Sequence, residues 1–292
     1  MREQITSSSN PKIKNLLLLQ EKSKARREQG LFVVEGKREL EHCIEAGYKV
    51  HTVFVCPEIL EASAPFDSAE NYFLGRCPKN QNSAEYVLRR PSREAPPSCS
   101  VPSIIEVSEQ VYRKIAYREG TEGIIAEVEA KHIGLEDLAL PENPLIMVLE
   151  AVEKPGNLGA VLRSADAARA HAVIVCDPLT DLYNPNLIRA SIGAIFTVPT
   201  VAASSEETIA FLKARGIQIL TAQLQDSSLY YDVDMKCGTA IVMGTESTGL
   251  TDVWRRAASA HIRIPMLGQL DSLNVSVSAS ILLFEAVRQR MA

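Results

Sequence analysis

Three stretches in the second half of the chain combine glycine with polar side chains, and each follows a predicted strand. They are EKPGNLGAVLRSAD (153–166), VMGTESTGL (242–250) and IPMLGQLDSLNVS (264–276). In a sheet of parallel strands, ligands bind beyond the carboxyl ends of the strands, which lie along one edge. We therefore expect the three stretches to meet at one ligand site.

The first stretch predicts a tight turn that leads into a helix. Pro155, Gly156 and Gly159 favour that turn. Helical spacing then places Arg163 between one and two turns beyond Asn157. A glycine-rich helix start can hold an anion, but this one lacks the lysine and hydroxyl residue of a phosphate-binding loop. A surface arginine on a helix is more often structural than chemical, so Arg163 becomes a candidate only together with the other stretches.

The other two stretches place small residues at predicted turns. Gly244 and Gly249 permit a close approach of the backbone to a ligand, with Glu246 between them, although G-x-x-x-x-G alone is a weak signal. Ser272 and Asn274 open the terminal helix, where they could be ordinary caps. Small polar residues weaken a helix interior. We therefore interpret this helix start as a binding surface.

The hydrophobic pattern of the second half predicts alternating strands and helices. The predicted strands are 145–150, 172–176, 196–201, 217–222, 239–244 and 261–265. The predicted helices are 157–170, 184–194, 204–215, 251–259 and a terminal helix that begins at Ser272. Apolar strands between helices are typical of an α/β fold with a mostly parallel sheet that is covered on both faces.

The first half predicts a smaller α/β domain. Its predicted strands are 31–36, 49–56 and 123–129, and its predicted helices are 37–47 and 108–116. Residues 75–103 contain five prolines among polar residues, which favours loops. We predict an N-terminal domain at 1–130, a linker at 131–143 and a C-terminal domain at 144–292.

Composition indicates an ordinary soluble protein. Of the 292 residues, 46% are hydrophobic and 23% are charged, which are the shares of globular domains. No apolar run approaches the roughly 18 residues of a membrane span, and the start MREQITSSSNPKIK lacks the apolar core of a signal peptide. The six cysteines are scattered without a C-x-x-C pair, so we expect reduced thiols, no metal site and a cytoplasmic location.

The net charge of −5 argues weakly against a nucleic-acid partner, but the charge is unevenly distributed. Residues 1–40 contain nine lysines and arginines against five glutamates, so this segment is positive in an otherwise acidic chain. A run of charge is often only a solvated helix face. The asymmetry nevertheless makes this segment a candidate surface for RNA.

The three stretches resemble, in order, the three motifs of the SpoU (TrmH) family of RNA ribose 2′-O-methyltransferases, within the SPOUT superfamily. The matching sequences are NLGAVLRSAD, VMGTESTGL and IPMLGQLDSLNVSVSASILLFEAVRQR. DLYNPNLIRASIGAIF (181–196) resembles the segment between the first two motifs, so the resemblance covers 144–292 almost without gaps. Residues 5–40 resemble the substrate-binding domain of the family, an α/β module related to a ribosomal protein. That second resemblance fades across 57–105.

The resemblance implies a deep trefoil knot at the C-terminus, which is a rare feature of protein folds. It also implies a homodimer, since family members build the site near the subunit interface. S-adenosylmethionine would bind in the knot against the loops at the strand ends. By position, the implied cofactor contacts are Thr221, Ala222, Met243, Gly244, Ile264, Met266, Leu273 and Asn274.

The resemblance also assigns roles at the reacting centre. Arg163 would activate the ribose 2′-hydroxyl, and Asn157, Glu246, Ser272 and Asn274 would hold that arginine and the RNA. A guanidinium group stays protonated in proteins, so we favour a role in clamping phosphate and stabilising the developing oxyanion. The basic segment 12–38 fits RNA binding in this frame, with Arg189 as a further candidate that an ordinary pair with a carboxylate explains equally well. The candidate RNA contacts are therefore Lys12, Lys14, Arg26, Arg27, Lys37, Arg38 and Arg189.

The implied activity is S-adenosylmethionine-dependent 2′-O-methylation of RNA. Ribosomal RNA is favoured because a separate N-terminal domain precedes the catalytic domain. A transfer-RNA methyltransferase and a catalytically silent RNA-binding or assembly protein are the alternatives, and the complete set of motif residues argues against the silent protein. A nicotinamide dehydrogenase is excluded because no G-x-G-x-x-G follows the first strand. One departure from the family is Arg169, which stands where members often have glycine.

Overall fold

The computed structural model describes residues 3–63, 102–117, 120, 122–245, 248–270 and 272–291. The chain forms two compact units. The first contains Met1–Lys131 and Tyr183–Arg189, and the second contains His132–Leu182 and Ala190–Ala292. No helix in the described ranges is long and apolar enough to cross a membrane.

The first unit is a five-stranded mixed sheet with helices. Its strands are β1 (Glu3–Ile5), β2 (Leu31–Glu35), β3 (Val50–Val55), β4 (Ser103–Val107) and β5 (Ile124–Glu129). Its helices are α1 (Pro11–Glu21), α2 (Ser23–Gln29), α3 (Lys37–Glu45), α4 (Pro57–Ser63) and α5 (Glu109–Ile115). The strand order is β1-β4-β3-β5-β2, and β5 runs antiparallel to both of its neighbours.

Local signals explain how the first unit begins. Asn10 caps α1 by accepting a hydrogen bond from the backbone N–H of Lys12 at 2.9 Å, and Pro11 occupies the first helical position, where proline is tolerated. Leu16 and Leu19 of α1 are fully buried, and both belong to the core formed with the sheet. The cap and the apolar stripe thus determine both the start and the orientation of this helix.

The second unit is built on a seven-stranded sheet. Its strands are β6 (Leu145–Glu150), β7 (Ala172–Cys176), β8 (Thr200–Ala203), β9 (Gln218–Ala222), β10 (Ser228–Leu229), β11 (Thr239–Met243) and β12 (Ala260–Arg263). Its helices are α6 (Pro155–Ala167), α7 (Pro185–Ser191), α8 (Ala194–Thr197), α9 (Ser205–Ala214), α10 (Asp252–Ala257) and α11 (Val275–Met291). Most of α7 groups with the first unit.

All paired strands of this sheet are parallel, in the order β10-β12-β9-β11-β6-β7-β8. Every residue of β6, β7 and β11 is buried, as expected for a sheet that helices cover on both faces. This confirms the predicted α/β class with a parallel sheet and a smaller α/β unit before it. The trefoil knot stays a prediction from the resemblance.

Two predicted elements differ from the structure. The strand predicted at 196–201 is wrong at its start, because Ala194–Thr197 forms a helical turn and the strand covers Thr200–Ala203. A short buried apolar run fits a strand or a helical turn equally well. The terminal helix begins at Val275 and not at Ser272. Most of the loop-rich segment predicted at 75–103 lies outside the described residues.

Two connecting segments are part of the compact units. Residues 131–143, predicted as a linker, fall almost entirely in the second unit, where Leu138 is buried in the main core. Residues Tyr183–Arg189 group with the first unit, where the ring of Tyr183 stacks on Phe32 at 4.3 Å between centroids. The Tyr183 hydroxyl also donates to the backbone carbonyl of Lys131 at 2.6 Å.

Candidate active site

A cleft of about 400 Å³ lies at the carboxyl edge of the sheet in the second unit. Six of the residues predicted to contact a cofactor line it, namely Ala222, Met243, Gly244, Ile264, Met266 and Leu273, and Ser272 lines it too. The cleft lies at the ends of β9, β11 and β12, which are neighbours in the sheet. The prediction that strand-end loops converge is therefore met for the second and third motifs.

Two glycines shape the wall of this cleft. A Cβ atom at Gly244 would lie 2.3 Å from the backbone carbonyl group of Gly249, so only glycine fits there. Gly249 itself has a φ of +67°, which favours glycine. Its N–H donates to the carbonyl of Thr245 at 3.1 Å. The two sides of the glycine loop, residues 244–251, of which 244, 245 and 248–251 are described, are thus in direct contact at Gly244 and Gly249.

The start of the terminal helix connects the cleft to the first motif. Asn274 donates from its side-chain amide to the side-chain oxygen of Asn157 at 3.1 Å. The Asn274 oxygen accepts from the backbone N–H of Ser276 at 3.0 Å, so this residue caps α11. One turn further on, the hydroxyl oxygens of Ser164 and Ser280 are 2.6 Å apart. The small residues at this helix start therefore let α6 and α11 pack closely.

Arg163 does not line the cleft of its own chain. It is exposed on α6, the helix that packs against α11. The structure thus brings Asn157, Asn274 and Ser272 to the region of the cleft and its rim, and leaves the guanidinium group at the surface of the same unit. Glu246 lies outside the described residues.

Thr221, which is also a predicted cofactor contact, differs from the six predicted contacts that line the cleft. It is fully buried and does not line the cleft, because its hydroxyl pairs with Nδ1 of His261 at 2.6 Å on the neighbouring strand β12. The residue lies one position before the end of β9. The next residue, Ala222, lies at the end of the strand and does line the cleft.

Two cations that were not predicted also line this cleft. Arg255 of α10 and Arg263 of β12 both line it, and Nη1 of Arg263 lies 3.4 Å from the hydroxyl of Ser227. Gln223 and Gln225, which follow β9, line it as well. The rule that ligands bind at strand ends could have found the two glutamines. Arg255 lies on a helix, and no sequence motif marks it.

The predicted RNA contacts of the first unit fall into different environments. Lys14, Arg27 and Arg38 are exposed, Lys37 is partly buried, and the exposed Lys12 forms an ion pair with Glu3 at 2.6 Å. Arg189, which groups with this unit, is also exposed.

Arg26, which is also a predicted RNA contact, differs from these residues. It is only 5% exposed, and its guanidinium group donates to the carbonyl oxygens of Leu19 and Gln20 at 2.6 and 3.1 Å. These carbonyls belong to the last turn of α1, where a cation is favourable. Arg26 therefore joins α2 to the end of α1 and is not available to RNA.

Comparisons with known proteins agree with this geometry. The family model described as SpoU rRNA Methylase matches residues 144–284, and that of the MRM3-like substrate binding domain matches residues 10–126. The 23S rRNA (guanosine-2′-O-)-methyltransferase RlmB of Ralstonia nicotianae is 36% identical over 192 residues, which cover 64% of this chain and 77% of that protein.

Two solved structures match almost the whole chain. The crystal structure of an RNA 2′-O ribose methyltransferase is 36% identical with a TM-score of 0.76, and the match covers 99% of this chain and 100% of that one. An AdoMet-bound rRNA methyltransferase from Sinorhizobium meliloti is 27% identical with a TM-score of 0.81, covering 99% of each chain. With its fold, its cleft and these matches in agreement, the chain belongs to the SpoU rRNA methylase family.

Proposed function

We propose that this protein transfers a methyl group from S-adenosylmethionine to a ribose 2′-hydroxyl of 23S ribosomal RNA. One observation carries the proposal: residues of the second and third motifs line one cleft, and the Asn157–Asn274 hydrogen bond ties the first motif to its rim. The relative in Ralstonia nicotianae is named for this reaction on 23S rRNA, and the structure from Sinorhizobium meliloti is described as AdoMet-bound.

The cleft fits the proposed cofactor in size and chemistry. Its volume of about 400 Å³ is within the range of pockets for small ligands. The backbone of Gly244 and the side chains of Ile264 and Met266 offer hydrogen-bonding groups and apolar surface for a nucleoside. Arg255 and Arg263 offer positive charge for a carboxylate. When bound, S-adenosylmethionine supplies an electrophilic methyl group.

The protein then has to position the RNA and support the charge that develops on the ribose oxygen. Arg163 is suited to both tasks, because a planar guanidinium group can donate two hydrogen bonds to a phosphate or an oxyanion. Asn157, Asn274 and Ser272 offer further polar groups at the cleft and its rim. Glu246 is proposed to act with them on the strength of the motif. We assign the 2′-hydroxyl proton to phosphate or water, since guanidinium is a poor base.

We also propose that the site is completed in a homodimer. Val277 and Phe284 are 47% and 48% exposed on α11, and Leu273 before the helix is exposed too. Leu267, in the loop that leads to this helix, is 96% exposed. Exposed apolar side chains on and just before one helix are typical of an interface. A second copy docked there would cover this surface and bring a partner subunit against the α6–α11 pair, from which Arg163 projects.

Phe284→Glu tests the dimer. We expect this variant to elute as a monomer in light-scattering chromatography and to lose methyl transfer. Leu179→Glu, at another exposed leucine of the second unit, is the matched control and should stay dimeric and active. A dimeric Phe284→Glu protein with normal activity would contradict the proposed interface.

The first unit would supply affinity for the RNA through its exposed cations, as expected for a substrate-binding domain. Its domain boundaries at 1–130 and 144–292 and the knot in the second domain are part of the proposal. We further propose a cytoplasmic location, which action on ribosomal RNA permits.

The transfer assay tests the function as a whole. Purified protein is incubated with methyl-labelled S-adenosylmethionine and with either 23S rRNA or transfer RNA. We expect label in 23S rRNA as a 2′-O-methylnucleotide that resists alkaline hydrolysis. Label in transfer RNA would favour the alternative substrate. Cofactor binding without transfer to either RNA would favour a silent RNA-binding protein.

A further inference from the structure

Glu150 is a buried carboxylate outside the predicted site. It is the last residue of β6 and is 4% exposed. Its Oε2 accepts the backbone N–H of Thr251 at 2.8 Å, and its Oε1 accepts the Thr251 hydroxyl at 2.6 Å. Hydrogen bonds to an ionised carboxylate are among the strong ones in proteins. The Glu150 carboxylate thus binds both the backbone N–H and the side-chain hydroxyl of Thr251.

A second hydroxyl approaches Glu150 but is engaged elsewhere. The oxygen of Ser205 is 3.4 Å from Oε1 of Glu150 and 2.6 Å from Oδ2 of Asp177. A hydroxyl has one proton to donate, and the shorter distance assigns it to Asp177. Ser205 also accepts the indole N–H of Trp254 at 3.0 Å. Thr251 is therefore the main partner of Glu150, while Ser205 holds the buried tryptophan of α10.

Thr251 is the last residue of the glycine loop. It precedes α10 and follows Gly249 and Leu250, both of which line the cleft. Since the backbone of Gly249 is packed against Gly244, a shift at Thr251 would move both sides of the loop.

We propose that Glu150 is a positioning residue for the cofactor site. By holding Thr251, it fixes the glycine loop in the conformation that receives S-adenosylmethionine. This role rests on the proposed function, because that function assigns the cleft to the cofactor. Glu150 does not line the cleft, so its effect reaches the ligand only through Thr251 and the loop.

Two substitutions at this position test whether the hydrogen bonds from Thr251 to Glu150 support cofactor binding. Glu150→Ala removes both acceptors, and we expect the Kd for S-adenosylmethionine in calorimetry to rise at least tenfold. Glu150→Gln keeps an oxygen for the Thr251 N–H, so its Kd should stay within about threefold of the wild-type value. Affinity for RNA should be unchanged in both variants. Amide hydrogen exchange of residues 244–251 should be faster in Glu150→Ala and close to normal in Glu150→Gln.

Gln289→Ala controls for a general loss of stability. Gln289 is buried on α11, where its side chain accepts from the N–H of Met235 at 2.8 Å and donates to Glu285 at 2.8 Å. This variant should melt at a lower temperature with an unchanged Kd for the cofactor and unchanged exchange at 244–251.

If Glu150→Ala fails to fold, Thr251→Val replaces it. This variant loses the hydroxyl and keeps the backbone N–H, so a rise in Kd of about threefold is expected, with recovery in Thr251→Ser. The positioning role would be overturned if folded Glu150→Ala had the wild-type Kd and the wild-type rate of amide exchange. The same result in Thr251→Val would overturn it if Glu150→Ala does not fold. If the wild-type protein binds no S-adenosylmethionine, the proposed function fails, and the exchange at 244–251 still decides the role of Glu150.

Discussion

The arginines of this protein have different roles, and the burial of each guanidinium group distinguishes them. Arg163 is exposed on α6, whereas Arg26 is buried against two carbonyl oxygens. Arg290 donates to four backbone carbonyls, which belong to Asn143, Pro144, Met235 and Cys237. The forked guanidinium group suits phosphate and clustered carbonyls equally well. Burial therefore decides which arginines can meet RNA.

Arg163→Lys tests the assignment at the reacting centre. A lysine keeps the charge but cannot donate two parallel hydrogen bonds. We expect kcat/KM for methyl transfer to fall by roughly 100-fold or more, as for the loss of a donor to an oxyanion, with little change in the Kd for the cofactor. Arg256→Lys, at an exposed arginine of α10, should have normal activity. Near-normal turnover by Arg163→Lys would contradict the clamp.

Arg26 and Arg27 form a pair of neighbours with opposite expectations. Arg26→Ala should lower the free energy of unfolding by roughly 2–4 kcal/mol, because it removes two charge-assisted hydrogen bonds to the end of α1. Arg27→Ala should leave stability unchanged and reduce the slope of log K against log salt for RNA binding by about one. Chemical denaturation and salt titration measure the two effects. If Arg26→Ala reduced the salt dependence of RNA binding and left stability unchanged, Arg26 would be an RNA contact after all.

At the scale of elements, the sequence predicts segments that have a clear hydrophobic pattern or a capping residue at the end. It does not predict short segments whose pattern fits both a helix and a strand. The strand 145–150 and the helix after Ser204 were predicted closely, because one is a continuous apolar run and the other has a capping box with Glu207. The helical turn Ala194–Thr197 was missed, since its four residues carry no period. The predicted start of α11 is three residues too early, because Ser272 and Asn274 are equally good caps.

Arg169→Gly tests the end of α6. Arg169 has a φ of +50° in a helix-ending motif in which Ala170 donates to the carbonyl of Ala165 at 2.8 Å. This left-handed conformation costs a residue with a side chain roughly 1 kcal/mol, which explains why glycine suits the position. We expect the variant to gain about 0.5–1 kcal/mol in the free energy of unfolding. Arg256→Gly, within α10, should instead lose about 1 kcal/mol. A lower free energy of unfolding for Arg169→Gly would contradict the claim that Arg169 is strained in this conformation.

Glu127 on β5 gives the first unit a pH dependence. Burial raises the pKa of this carboxyl above its usual range, against a smaller opposing effect of His51. The folded protein therefore holds the proton more tightly than the unfolded chain does. Its contribution to stability is complete below the ordinary carboxyl pKa and is lost as the pH rises through the raised value.

Glu127→Gln should consequently melt at a higher temperature than the wild type at pH 8 and at a similar temperature at pH 4. Thermal melts across this range check the expectation. Glu129→Gln, at a more exposed position on the same strand where the carboxylate pairs with Lys49 at 2.6 Å, is the control and should not melt at a higher temperature than the wild type at pH 8. A lower melting temperature for Glu127→Gln at pH 8 would mean that the ionised carboxylate is stabilising.

At the scale of the whole molecule, the sequence motifs predicted the cofactor cleft better than the organisation of the units. The cleft is made by loops that directly follow strands, so parallel topology brings them together. The grouping of Tyr183–Arg189 with the first unit rests on distant partners, such as Phe32 and the Tyr117 hydroxyl, which donates to Asn186 at 2.9 Å. No local pattern encodes such contacts.

The most direct test of the central claim is a map of 2′-O-methylation across 23S rRNA at single-nucleotide resolution. Ribosomal RNA is compared from cells that have the gene, that lack it, and that carry it back as wild type or as Arg163→Ala. We expect one ribose to lose its methyl group without the gene and to regain it with the wild type alone. An unchanged map in cells that lack the gene, or full methylation restored by Arg163→Ala, would contradict the account.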